Sequence, residues 1–181
     1  MTNAIRASEE TNDGCTTWDL SLTPKDFFKT YFYPYLQISS ECDPESQQEC
    51  TTIHNRVDLR NNDNNLYGIN AGRYYGVVLN NGIMIWINKY ENKGQGFIFI
   101  VDINGDSKPN RNARDIFGFC FTKDGFHGYS HYGFKQNSRY NMSGGYGGCN
   151  VNACCSWMGA GGGCSQMIIY DGWQISKDYP W

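Results

Sequence analysis

Between Val101 and Asp115 the chain reads VDINGDSKPNRNARD, which places Asp102, Asn104, Asp106 and Asp115 in one stretch directly after the apolar run GFIFI. Short oxygen-bearing side chains gathered in a loop are what a hard cation such as calcium takes as ligands. Asp102, Asn104 and Asp106 stand at positions 1, 3 and 5 of an EF-hand-type loop. The agreement stops at position 6, where Ser107 stands for glycine, and at position 12, where Ala113 stands for a bidentate acid. Asp115, at position 14, would close a loop of a different shape. The same residue types also bond their own backbone in Asx turns at strand ends. The residues therefore leave two readings open: a Ca2+ site on Asp102, Asn104, Asp106 and Asp115, and a self-bonded turn.

Cysteine is the next reactive residue type. Eight cysteines stand at Cys15, Cys42, Cys50, Cys120, Cys149, Cys154, Cys155 and Cys164. No pair has C-x-x-C spacing, and none of the histidines (His54, His127, His131) lies within the cysteine clusters, which argues against structural zinc. Disulfides are the expected use, and with them an oxidising compartment. Cys42–Cys50, across the short polar loop CDPESQQEC, is the favoured pair. The late cysteines are expected to pair among themselves or with Cys15 and Cys120.

Catalytic signatures are absent from the sequence. It has no Walker sequence, no G-x-S-x-G, no H-E-x-x-H, and no G-x-G-x-x-G on a strand-to-helix turn. His127 and His131 lie in DGFHGYSHYG, which reads as a solvated loop rather than a helix able to present two ligands. An enzyme is not expected. A net charge of −3 without a long basic run argues against duplex nucleic acid as a partner. No apolar run approaches the roughly 20 residues that span a bilayer.

The elements that must position these groups follow from periodicity and punctuation. The 181 residues suffice for one domain, and 40% hydrophobic with 15% aromatic residues is the composition of a chain with a packed core. Residues 2–12 read as the end of a helix stopped at NDGC, with Gly14 as a left-handed cap. In TPKDFFKTYFYPYLQI, Thr23 is the N-cap, Pro24 opens the helix, and Pro34 ends or kinks it; Phe27, Phe28, Tyr31 and Phe32 make its core face. Residues 39–72 read as loop. RYYGVVL (73–79), GIMIWIN (82–88), GFIFIVDI (96–103) and DIFGFCF (115–121) read as strands, the first two joined by an NNG hairpin turn. Residues 122–165 read as a Gly- and Cys-rich loop region, and 165–175 as a last strand or hairpin. Helices first and strands later give an α+β expectation, with a sheet at 73–121 in a single domain 1–181.

Several of these pieces together resemble one family, the bacterial type IV pilin-like proteins that include the pseudopilins of type II secretion. VDINGDSKPNRNARDIFGF (101–119) resembles the prepilin-type pattern D-[IV]-N-G-x-x-x-P-N-x-x-G-x-D-x-F-x-F. The ending DGWQISKDYPW is similar to the ends of many such proteins, NDGCTTWD with FFKTYFYPYLQI to their early region, and YYGVVLNNGIMIWI to the hairpin before the motif. Ala113 departs from the pattern, standing where glycine is common. The resemblance implies a pilin-like head: an N-terminal helical remnant on an antiparallel meander of about four strands, with a disulfide-rich C-terminal loop region. It implies a structural subunit whose partners are other pilin or pseudopilin subunits, anchored in the inner membrane by a helix of which residues 2–12 would be the tail, and working in the periplasm or outside the cell. MTNAIRASEETNDGC has no apolar centre of a signal peptide, so the export that the cysteines suggest implies a leader and anchor not in this sequence. From composition alone, the many tyrosines and tryptophans leave one alternative, a secreted carbohydrate- or surface-binding module.

Overall fold

The computed structural model describes residues 1–43, 74–89, 96–105, 107–129 and 164–179. Its frame is a six-stranded antiparallel sheet in which every strand lies beside its sequence neighbour: β1 (Ile38–Cys42), β2 (Tyr75–Leu79), β3 (Met84–Lys89), β4 (Gly96–Asp102), β5 (Ile116–Thr122) and β6 (Gly125–Gly128). Three short helices accompany it among the described residues: α1 (Thr2–Asn12), α2 (Pro24–Tyr31) and α3 (Cys164–Tyr170).

This corrects the expected α+β head with about four strands. Among the described residues the frame is a β-sheet with short helices against it. The expected strands at 73–121 are the middle four; β1 was hidden in a stretch read as loop, and β6 in the region read as Gly- and Cys-rich loop. Both missed strands are short and polar: β1 is ISSEC and β6 is GFHG, and neither shows the apolar alternation that marks a strand in sequence. They form because β2 and β5 offer open edges, which a short strand can cap. The second correction is at residues 165–175, expected as a strand or hairpin. SQMIIY is part of helix α3, whose buried side chains include Cys164, Met167 and Ile168.

Why α2 starts where it does is plain from its cap. Thr23 Oγ1 accepts a hydrogen bond from the Asp26 backbone N–H (3.1 Å) and donates to the Asp26 carboxylate (2.7 Å). The helix then lays Phe27, Phe28 and Tyr31 on the sheet, with Phe32 following; Phe27 and Phe32 are wholly buried. Phe27 stacks on Phe97 of β4 (centroids 4.0 Å apart), and Trp18 lies between Tyr31 (4.4 Å) and Phe121 (5.1 Å). Each such ring contributes on the order of 1.5–3 kcal/mol by burial. Helix α1 adds Ala4 and Ile5 to this side. Its end differs from expectation in one residue: Gly14 is extended (φ −61°), and Asp13 takes the positive φ of 61°.

Alternation divides the sheet residues cleanly. Val77, Ile85, Ile87, Phe97, Phe99, Val101, Phe117, Phe119 and Phe121 face the helices. Met84, Trp86, Ile98, Ile100, Ile116 and Cys120 form a second buried cluster with Tyr74 and Tyr129 on the other side. All seven residues of β4 and of β5 are buried, so these two central strands are covered on both faces.

The disulfide expectation is corrected at two of the eight positions. Cys15 and Cys120 are thiols. Burial, together with the neighbouring Glu9 carboxylate, pushes the Cys15 thiol up to about 11, which keeps it protonated and unreactive at neutral pH. Cys42, at the end of β1, and Cys164, the first residue of α3, are disulfide-bonded, but no disulfide joins two described residues. Cys50, Cys149, Cys154 and Cys155 lie outside the described residues, so the Cys42–Cys50 pairing and the late pairings fall there too. No helix among the described residues is long and apolar enough to cross a membrane.

Candidate functional site in the loop between β4 and β5

The oxygen-rich stretch links the two central strands. Asp102 is the last residue of β4 and pairs in register with Ile116, the first of β5, so the loop leaves and re-enters the sheet at one level. Ile103 N–H donates to Asp115 O (2.9 Å) and carries the ladder one step past the strands. Asp102 and Asp115 are therefore held side by side at the sheet's end, 5% and 3% exposed.

Buried carboxylates need partners, and these take backbone and amide N–H groups. Asp102 Oδ1 accepts from Asn104 N–H (3.1 Å), an Asx turn. Asp115 accepts from the Arg111 N–H through Oδ1 and from Asn104 Nδ2 through Oδ2 (3.3 Å). Asn104 Nδ2 also donates to Lys108 O (3.4 Å), so one asparagine spans both aspartates and the loop's far arm. The Arg111 carbonyl in turn accepts from the N–H groups of Arg114, Asp115 and Ile116 (3.1–3.2 Å), folding 111–116 into a tight turn.

Of the expected ligands, Asp102, Asn104 and Asp115 are thus brought together, while Asp106 lies outside the described residues. Two features escaped the sequence reading. Ala113 adopts φ 65° despite its β-carbon, at the position where the resembling pattern prefers glycine. Asn112 is fully buried, and neither end of its amide has a hydrogen-bond partner; the buried Asn104 Oδ1 and the Nε atoms of Arg111 and Arg114 also lack one. The only sequence signal for this was the density of Asn and Arg around a strand end. Among the described residues, no group of three or more His, Cys, Asp or Glu side chains is placed to hold a metal.

At the other end of β5, His127 is buried on β6 rather than solvated, and His131 lies outside the described residues. His127 stands opposite Cys120 in the register. Its Nδ1 bonds Gly128 O (3.0 Å) and its Nε2 bonds Thr122 Oγ1 (3.3 Å). A carbonyl only accepts, so the proton is on Nδ1, and Thr122 donates to Nε2. Burial holds the imidazole neutral by lowering it to about 4. Helix α3 closes the cluster: Gln166 Oε1 accepts from Gly128 N–H (3.0 Å), and Ser165 Oγ from Tyr129 N–H (3.2 Å).

Against known proteins, no family model, curated protein or solved structure matches this chain.

Proposed function

We propose that this chain is the globular part of a structural subunit, a major or minor pilin or a secretion pseudopilin, of a type IV pilus or type II secretion filament outside the cytoplasm. One contact supports the reading. Two of the stretches whose residues resemble prepilin-type proteins, 101–119 and 171–181, are far apart in sequence and meet in the fold: Tyr179 Oη donates to Ala113 O (2.6 Å), and Trp173 lies 5.9 Å from Phe119. Resemblance by chance in two separate stretches carries no reason for them to touch. The six-stranded sheet is not the head the resemblance implied, so the reading rests on this contact and on the loop. The partners in this reading are other subunits of the filament and the inner membrane.

Calcium belongs to the same reading. Asp102, Asn104 and Asp115 are hard oxygen ligands on one loop, and Asn104 Oδ1 is a buried acceptor without a hydrogen-bond partner. They fit the ion in kind and would hold it with Asp106; bound there, calcium would tie the two ends of the loop together. The function is tested by immunogold labelling of the source cells with antibodies against this chain. Labelled extracellular or periplasmic filaments are expected; label confined to the cytoplasm, or spread evenly with no filament, would refute the proposal.

A further inference from the structure

Ala113 stands in the turn that returns the oxygen-rich loop to β5, and its backbone is left-handed (φ 65°). A β-carbon there pays a steric cost that glycine does not. Such a residue persists only where its surroundings hold it. Within the turn, Ala113 N–H donates to Ile116 O (2.8 Å), while the Arg111 carbonyl gathers the N–H groups of Arg114, Asp115 and Ile116. The remaining hold comes from a distant part of the chain. The Ala113 methyl is buried in the same core cluster as Tyr179, and its carbonyl accepts from Tyr179 Oη (2.6 Å).

Tyr179 ends a strap, residues 171–179, that begins at α3. The helix closes in a Schellman motif: Trp173 N–H donates to Ile168 O (2.7 Å) and Gly172 N–H to Ile169 O (3.1 Å), with Gly172 at φ 71°. Trp173 then lies against Phe119 of β5 (5.9 Å) and Phe126 of β6 (6.5 Å). None of residues 171–178 is buried, whereas Tyr179 is 4% exposed, and its N–H closes a turn on Ser176 O (3.1 Å). The strap thus meets the body of the fold at its two ends, and the far end meets the left-handed alanine. Asp115 follows two residues later, so the turn sets where its carboxylate stands to accept from Arg111 N–H and the Asn104 amide. We infer that residues 171–179 are a clamp on the β4–β5 loop. Tyr179 is its positioning residue: it keeps Ala113 left-handed and thereby holds Asp115 against Asn104 and Arg111, and lifting the strap opens the loop. The clamp consists of contacts within this chain, so amide exchange and the search for filaments can fail separately.

Amide hydrogen exchange on the whole chain, read by NMR with the β4 amides as internal reference, tests the clamp. Tyr179→Phe keeps the ring and removes only the hydroxyl. It should speed exchange of the Arg114, Asp115 and Ile116 amides by about fivefold relative to β4. Adding Ala113→Gly should bring them back to within about threefold of wild type, because glycine holds the same φ unaided. A loss of core packing alone would not be rescued by removing a methyl. Coupling is reciprocal, so Asp115→Ala, which loosens the loop from its other side, should speed the Tyr179 amide by about twofold or more. Unchanged loop amides in Tyr179→Phe, no rescue by Ala113→Gly, or a Tyr179 amide indifferent to Asp115→Ala would each overturn the clamp. Equal acceleration throughout β4 would overturn it as well, since that is a global loss of stability and not a local opening.

Discussion

Buried polar groups flank β5 at its start and along its edge with β6, but the two clusters recruit them from different distances along the chain. At the start of β5, Asp102, Asn104, Arg111 and Asp115 satisfy one another across no more than 11 residues. Along the β6 edge, beside Phe119 and Gly118, Gly128 and Tyr129 donate to Gln166 and Ser165, 38 and 36 residues away. The first cluster is a local loop that folds on itself, and the second exists only once α3 has docked. The first should therefore respond to changes in its own side chains, and the second to anything that shifts the helix.

The largest expected effect tests the docked cluster. A β-carbon on Gly128 would lie 2.5 Å from Gln166 N and 2.6 Å from its Cα, and these are backbone atoms that cannot rotate away. Gly128→Ala should cost about 3 kcal/mol or more in denaturant unfolding, since the helix must lift off the sheet. A loss below about 1 kcal/mol would mean that α3 is not seated there in solution.

Next comes a pH effect in the same cluster. His127 is lowered from its ordinary 6.5 to about 4, so the folded state resists protonation that the unfolded chain accepts. Its contribution is complete above pH 6.5, is lost as pH falls from 6.5 towards about 4, and changes no further below that. The loss is at most about 3 kcal/mol. His127→Gln should flatten the stability-against-pH curve over this window relative to wild type. Parallel curves for the two proteins would rule out a buried neutral imidazole.

The local end should respond less. Asp115→Ala leaves the Arg111 N–H and the Asn104 amide without their acceptor, at a cost of about 2 kcal/mol. Combined with Asn104→Ala, the loss should be less than additive, because the two share one bond. Strict additivity in the double-mutant cycle would show that the two side chains do not meet. The smallest effect is that of calcium. If the loop binds the ion, millimolar calcium should raise Tm by a few degrees over chelator, and Asp115→Ala should abolish the rise. No shift in wild type would leave the carboxylates to the backbone N–H groups and the Asn104 amide alone.

The local cluster was legible in the sequence because its signal is local: Asp and Asn two residues apart at the end of an apolar strand bond their own backbone. The same locality made α2 legible, through Thr23, Pro24 and Asp26, and the β2–β3 hairpin, through its NNG turn. Misreadings fell where local pattern and final environment disagree. SQMIIYDG alternates poorly and ends on a glycine that suits a strand turn as well as a helix cap. Only the Ile168 and Ile169 carbonyls, receiving Trp173 and Gly172, identify it as a Schellman-capped helix. His127 looked solvated because glycine and tyrosine surround it in sequence, whereas its burial comes from the sheet pairing of β6 and the docking of α3.

By itself, then, the sequence determined the middle four strands, the capped helix and its aromatic face, and the polar loop between β4 and β5. Periodicity, caps and turns act over a few residues and are written in consecutive letters. Tertiary structure alone decided the edge strands β1 and β6, the helical state of 164–170, the thiol state of Cys15 and Cys120, and the pairing of Tyr179 with Ala113. Each of these depends on which distant group supplies the missing hydrogen bond or covers the apolar face. That is settled by packing, and no short stretch of sequence records it.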